Sequence, residues 1–170
     1  MENFKKTKNT PTYQKLKNDL KEILKGKIVI IGIGNPMRGD DAVGNELVER
    51  IMNTVKFDCI KCEEVPEDYT ADIISKNPDT LLIIDAINLN QNPGDIIILK
   101  PEQLKDECFD AHRIPISVFV KYLKNFVKNN VYILGIQPKN ISYNSFLSEE
   151  VSESVEMLEK LFNDISELKN

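Results

Sequence analysis

The chain has 170 residues, 41 % of them hydrophobic and 29 % charged, and a net charge of −5. That length and balance fit one soluble globular domain with a real core and exclude a disordered chain. No apolar run approaches the roughly 18 residues of a membrane span, and the acidic balance excludes the basic footprint of a nucleic-acid enzyme.

The polar, lysine-rich start MENFKKTKNTPTYQ has no apolar segment of the kind a secretory signal needs. Three cysteines are too few for a disulfide scaffold, so the expected compartment is a reducing cytoplasm. Charge is unevenly spread. Residues 1–27 carry eight lysines against three acidic residues, and the rest carries 14 basic against 24 acidic residues. The basic leader could dock on its own acidic body or on a partner, or simply present a solvated helix face, and the solvated face is the expectation.

In chain order, Thr10-Pro11 is a helix start, with a capping hydroxyl and then proline in the first turn. Tyr13, Leu16, Leu20, Ile23 and Leu24 follow at helical spacing, and Gly26 can close the helix. KIVIIGIG, from Lys27, is a continuous apolar run expected of a fully buried parallel strand. Ala42 to Val55 reads as a helix with Val43, Leu47, Val48, Ile51 and Val55 on one face. Phe57 to Val65 is a weaker strand and Tyr69 to Lys76 a short helix. Thr80 to Ala86 is a second buried strand, followed by an Asn92-Pro93-Gly94-Asp95 turn and the strand DIIILK. An irregular stretch runs from Pro101 to Arg113. Pro115 opens a helix with Ile116, Phe119, Val120, Leu123 and Val127 inward. Val131 to Ile136 is a last buried strand, and Ser148 can cap a final helix bearing Val151, Val155, Leu158, Phe162 and Ile165.

Alternating helices and apolar strands predict an α/β fold: a single open, mostly parallel twisted sheet with helices on both faces. An extra N-terminal helix, within residues 1–26, precedes a domain of residues 27–170. Ligands of such sheets bind beyond the carboxyl ends of the strands. The side chains just past those ends are therefore the candidates: Asn35, Arg38, Asp40 and Asp41, then Asp85, His112 and Gln137.

IGIGNPMRGDDAVG resembles a nucleotide loop at first sight. The dinucleotide fingerprint, however, needs a third glycine where Met37 stands, Pro36 removes a backbone donor, and two aspartates would repel a pyrophosphate. No nucleotide is expected. One of Asp40 and Asp41 is explained by a helix N-terminus, which favours a carboxylate; the second is not. Asp85 ends a run that should be buried, where a carboxylate is costly unless paired, hydrogen-bonded or metal-bound. His112, the only histidine, taken alone reads as an exposed loop residue. Together two carboxylate positions and an imidazole suit a metal such as zinc, nickel, iron or manganese, with a coordination position left open.

Other chemistries are weaker. Cys59-x-x-Cys62 has zinc or redox spacing but lies in an expected strand, where positions three apart face opposite ways. Cys108 with His112 is most simply an ordinary thiol beside a histidine. Ser117 with His112 and Asp85 lacks the nucleophile-elbow motif of a hydrolase. Two of only three arginines, Arg38 and Arg113, fall in the candidate segments, and their planar forks suit carboxylates or peptide carbonyls in a substrate.

IGIGNPMRGDDAVG, LLIIDAINLNQNPGDI, AHRIPIS and LGIQP, in that order, resemble the hydrogenase maturation proteases over about residues 27–165, and particularly their formate-hydrogenlyase-type and archaeal branch. These endopeptidases trim the C-terminal tail from the large subunit of [NiFe] hydrogenases. The resemblance implies a twisted sheet covered on both faces, and an acidic residue, an aspartate and a histidine that contact metal: Asp41, Asp85 and His112 by motif position. It implies nickel supplied by the precursor, with the glycines bringing the loop close to that metal. Asn35, Arg38, Asp40, Arg113 and Gln137 are the expected substrate-binding groups. The hydrogenase large-subunit precursor is the expected partner and a monomer the expected state. The three metal-contacting residues are also the candidates for catalysis, although they could dock nickel while other groups do the chemistry. GIGNP also resembles the loop of peptidyl-tRNA hydrolases, but acidic residues stand where that family has its histidine and asparagine. A non-catalytic chaperone that checks nickel loading remains a third reading.

Overall fold

The computed structural model describes residues 13–104, 115–127 and 130–168. Five strands form one sheet in the order β2-β1-β3-β5-β4, where β1 is Ile28–Gly32, β2 Asp58–Lys61, β3 Thr80–Ala86, β4 Ile96–Leu99 and β5 Val131–Ile136. β1, β2, β3 and β5 run parallel, and β4 closes one edge antiparallel to β5. The α/β class and the mostly parallel sheet follow the apolar runs. β1 is buried throughout and β3 over its first five residues, as strands covered on both faces must be.

Side-chain alternation sorts the core into two layers. On one face Ile28, Ile30, Leu82, Ile84 and Leu134 pack against α1 (Tyr13–Ile23), α2 (Val43–Ile51) and α5 (Glu149–Glu167). On the other, Val29, Ile31, Leu81, Ile83 and Ile133 meet Ile73 of α3 (Thr70–Ser75) and Phe119, Val120 and Leu123 of α4 (Ile116–Leu123). Cys62 is buried on this second face, while Cys59 packs against the first, so the C-x-x-C pair is divided between layers as the strand period requires. Burial pushes both thiols up to about 12, which leaves them protonated and unreactive near neutrality.

Several boundaries differ from the sequence reading. α2 begins at Val43 because Gly39–Ala42 form a 3-10 turn, and it ends at Ile51, whose carbonyl accepts hydrogen bonds from the Thr54 hydroxyl and the Thr54 and Val55 amides. β2 stops at Lys61 rather than Val65, since Glu63 takes a left-handed conformation (φ +48°). The N-terminal helix is present, but Thr10 and Pro11 lie outside the described residues.

That helix is not simply a solvated face. Leu16, Leu20 and Leu24 are fully buried against α5 and the sheet. Tyr13 donates its hydroxyl to Asp164 at 2.9 Å, and Lys17 donates to the same oxygen at 2.5 Å. The hydrogen bond from Lys17, then that from Tyr13, holds the Asp164 carboxyl below its usual value. Partial burial, then the bond to Asp164, pushes Tyr13 up to about 12. No helix among the described residues is long and apolar enough to cross a membrane.

Leu20→Ala should cost about 2–5 kcal/mol in urea unfolding, the usual range for a buried leucine. A depressed carboxyl contributes stability above its unfolded pKa of about 3.9 and loses it as pH falls through the folded value. The melting-temperature advantage of the wild type over Asp164→Asn should therefore be present at pH 7 and vanish in acid below about pH 4. The raised Tyr13 hydroxyl has the opposite sense: its contribution is present below about pH 10 and is lost only as pH rises through about 12.

Candidate active site

The strand order reverses direction between β1 and β3. From β1 the chain moves outward to β2, then returns across β1 to β3, goes on to the far edge as β4 and comes back between the two as β5. The crevice beyond the carboxyl ends of β1 and β3 is thus the switch point at which α/β sheets bind ligands. The segment after β1 carries Asn35 to Asp41, and Asp85 is the penultimate residue of β3.

Backbone contacts hold the glycine loop in place. Ile33 donates to the carbonyl of Ile84 at 2.9 Å, Gly34 to that of Glu63 at 2.8 Å, and Cys62 to that of Gly32 at 2.8 Å. A Cβ on Gly34 would fall 1.7 Å from the carbonyl oxygen of Asp41, and one on Gly44 would fall 2.2 Å from that of Ile84. These glycines therefore let the start of α2 pack directly on the strand ends. That internal role differs from the expectation that they bring the loop close to a partner's metal.

Neither aspartate caps α2, which has no side-chain cap. Asp41 is buried, and its Oδ2 accepts from the backbone N–H of Asn35 at 2.9 Å. Asn35 in turn uses its side chain twice: Oδ1 accepts from Met37 N–H at 2.8 Å, and Nδ2 donates to Glu64 at 2.6 Å. Asn45, buried in α2, donates to the carbonyl of Gly34 at 2.6 Å and accepts from Glu63 N–H at 3.2 Å. Glu64 and Asn45 were not among the sequence candidates. The strand expected over Phe57 to Val65 takes in Glu64, whereas β2 ends at Lys61 and leaves Glu64 just past the strand, among the candidate positions.

Asp40 has a different office. It is 0 % exposed. Its carboxylate accepts from the backbone N–H groups of Lys139 (2.7 Å), Asn140 (2.8 Å) and Ser148 (2.6 Å), and from the Ser148 hydroxyl (2.9 Å). Ser148 stands at the start of α5 as expected, yet its hydroxyl goes to Asp40 rather than capping the helix. Gln137 is likewise committed inward. Its Oε1 accepts from Leu89 and Gln91 N–H, and its Nε2 donates to Pro138 and Asn88 oxygens. In place of the expected substrate contacts, Asp40 and Gln137 each fasten a loop of the rim.

Arg38 is half-buried, with its Nε 3.4 Å from the carbonyl of Ile141 and its guanidinium over the Tyr143 ring at 5.4 Å. Asp85 is half-buried and lies in register with Gly135 of β5. His112, Arg113 and Cys108 lie outside the described residues. Among the described residues no three His, Cys, Asp or Glu side chains are grouped to hold a metal. Asp41, in the turn that leads into α2, and Asp85, near the end of β3, supply oxygen donors that suit a divalent cation but do not complete a site alone.

The sequence model of the family described as hydrogenase maturation protease matches residues 42–165. The chain belongs to the hydrogenase maturation proteases. A relative from Methanocaldococcus jannaschii is 37 % identical over 154 residues, covering 84 % of this chain and 90 % of the relative. The hydrogenase 3 maturation protease of Escherichia coli is 29 % identical over 131 residues, 75 % of this chain and 83 % of its own. The crystal structure of the [NiFe] hydrogenase maturation protease HycI from Thermococcus kodakarensis superposes with a TM-score of 0.79 at 32 % identity, covering 88 % of this chain and 99 % of that one. The solution structure of the endopeptidase HycI from Escherichia coli gives 0.74 at 28 %, covering 82 % and 90 %. The chain is thus a hydrolase of the peptide bond. The matched segment takes in Asp85 and the His112 position, while the glycine loop and Asp41 lie just before it.

Replacing the Asp40 carboxylate removes the acceptor of three part-buried backbone donors at once. Asp40→Ala should lower stability by about 3 kcal/mol or more, since each hydrogen bond to a charged group contributes about 1.5–3 kcal/mol. Denaturant unfolding of the purified variant measures the loss.

Proposed function

We propose that this protease removes the C-terminal extension of a [NiFe] hydrogenase large-subunit precursor once nickel is in place, and that the rim carboxylates meet that nickel. The observation that carries the reading is the placement of Asp41 and Asp85 at the β1–β3 switch point, on a loop and a strand end joined by backbone hydrogen bonds. Two carboxylates at a crevice suit a cation carried by the substrate far better than they suit a phosphate or another anion. His112 enters by its motif position as the third group.

In the proposed reaction, water adds to the scissile carbonyl and the C–N bond breaks. A carboxylate takes the water's proton and returns it to the departing nitrogen. Asp41 is the group assigned to that transfer. The Asn35 N–H fixes one of its oxygens, and the Asn35 side chain ties the same loop to Glu64, so the carboxylate is held rather than left to rotate. The nickel of the precursor would act as the Lewis acid that polarises the carbonyl. Asp85 would orient that ion from the neighbouring strand, and Arg38 would hold substrate carbonyls or carboxylates. The protease works as a cytoplasmic monomer in this reading, because one chain carries Arg38, Asp41 and Asp85 and its free thiols Cys59 and Cys62 suit a reducing compartment.

Mass spectrometry of the nickel-loaded large-subunit precursor from the same source, incubated with the protein, tests the proposal. Loss of a C-terminal peptide is expected with nickel-loaded precursor and not with nickel-free precursor. Asp41→Asn should abolish the cut, and Arg38→Lys should slow it by about tenfold, the loss expected when one binding interaction of about 1.4 kcal/mol is removed. A stable nickel-dependent complex without cleavage would instead mark a loading checkpoint.

A further inference from the structure

The segment that Asp40 fastens is unusual in its surface. Residues 140–148, NISYNSFLS, carry no charged side chain in a chain that is 29 % charged. Phe146 is 93 % exposed, Tyr143 67 % and Ile141 45 %, and Met37 from the glycine loop is 55 % exposed. A phenylalanine almost wholly in water usually marks a loose loop, yet this one is tightly bonded. Asn144 N–H donates to Met37, Gly39 N–H to Ser145 and Asp40 N–H to Asn140, all between 2.8 and 3.2 Å. The Ser145 hydroxyl donates to Ser142, and the Asp40 carboxylate grips both ends of the segment. Arg38 lies within it, against Ile141 and over Tyr143.

We propose that Met37, Ile141, Tyr143 and Phe146, set around Arg38, form the surface on which the precursor's polypeptide docks, and that this surface takes an uncharged, apolar stretch of that chain. The inference rests on the function proposed above and extends it to the partner's chemistry. Two observations select this occupant. First, the surface is continuous with the candidate site, since Met37 and Arg38 belong to the loop that also carries Asn35 and Asp41. Second, the rim divides by charge. Its carboxylates Asp41, Glu64 and Asp85 lie past β1, past β2 and near the end of β3, where a cation is to be met. Its aromatic part lies beyond β5 on residues 140–148, which carry no charged side chain themselves and are flanked by Lys139 and Glu150, paired with each other at 2.8 Å. A rigid, exposed aromatic patch needs little ordering on binding, which is how a few anchors come to dominate an interface. Asp40 is thereby a positioning residue, buried out of reach of substrate and holding the docking surface against the catalytic loop.

The test uses the full-length protein with Tyr143 and Phe146 both changed to serine. Tyr122→Ser serves as the control, because Tyr122 is 52 % exposed on α4 on the other face of the sheet. Binding to the purified precursor is measured by titration calorimetry, and cleavage of the nickel-loaded precursor by initial rates. Unchanged melting curves establish that both variants fold. The proposal expects the double variant to bind the precursor at least about tenfold more weakly, as loss of aromatic anchors does, and to raise KM with kcat retained. Tyr122→Ser should bind as the wild type does. Wild-type affinity in the double variant, equal weakening in the control, or no binding by the wild type would overturn it. Should the wild type bind the precursor without cutting it, the protease reading fails, while a tenfold loss of binding in the double variant still supports the docking surface.

Discussion

The site depends on one close backbone contact. The first turn of α2 rests on the carboxyl ends of β1 and β3 with nothing between, since Gly44 meets the carbonyls of Ile84 and Ile33 where any Cβ would collide. Gly34 makes the same concession toward Asp41. Because the contact is backbone on backbone, it has no side-chain rotamers to average over. The Asp41 carboxylate is therefore set relative to β3, and to Asp85 at its end, by the sheet itself. A side chain at either glycine would push the loop off the switch point, and the two carboxylates would no longer share a rim.

Buried polar groups carry the fixing outward from that contact. Asn45 bridges the glycine loop to β2, Asn35 links Asp41's loop to Glu64, Gln137 binds the residues after β3, and Asp40 binds those after β5. Each bonds to a segment just past a strand end, where the ladder runs out and backbone groups would otherwise be left without partners. Polar side chains of this kind at the lip of an α/β sheet convert floppy connections into a rigid frame. Catalytic geometry needs that rigidity, because a misplacement of about 1 Å can cost about a hundredfold in rate.

Asp40 and Asp41 illustrate why adjacent identical residues can have opposite duties. A 3-10 turn advances about 120° per residue, so consecutive side chains leave it in widely different directions. One enters the body and holds a loop, and the other stays with the crevice. Pattern reading places both at a helix start and expects Asp41 at metal and Asp40 at substrate, because sequence spacing does not report which residue meets the donors of residues 139–148, about a hundred positions away. Glu64 escaped notice for a related reason. The left-handed Glu63 ends β2 early and turns the chain, and nothing in FDCIKCEEV by itself announces that turn.

What the sequence by itself determined is the part governed by local period and composition. Continuous apolar runs specified parallel strands buried on both faces, helical spacing specified the covering helices, and the order of elements specified an open sheet whose strand ends hold the candidate residues. The ordered motifs from the glycine loop to LGIQP were enough to indicate the protease family. Tertiary structure alone decided which polar side chains face the crevice and which are consumed as fastenings. It also decided that the lysine-rich helix is bound to α5 through Asp164, and that an uncharged segment stands exposed beside Arg38. The physical reason is range. Apolar periodicity is set by burial of neighbours within a few residues, whereas the fate of a carboxylate or amide depends on donors and acceptors brought to it from far along the chain.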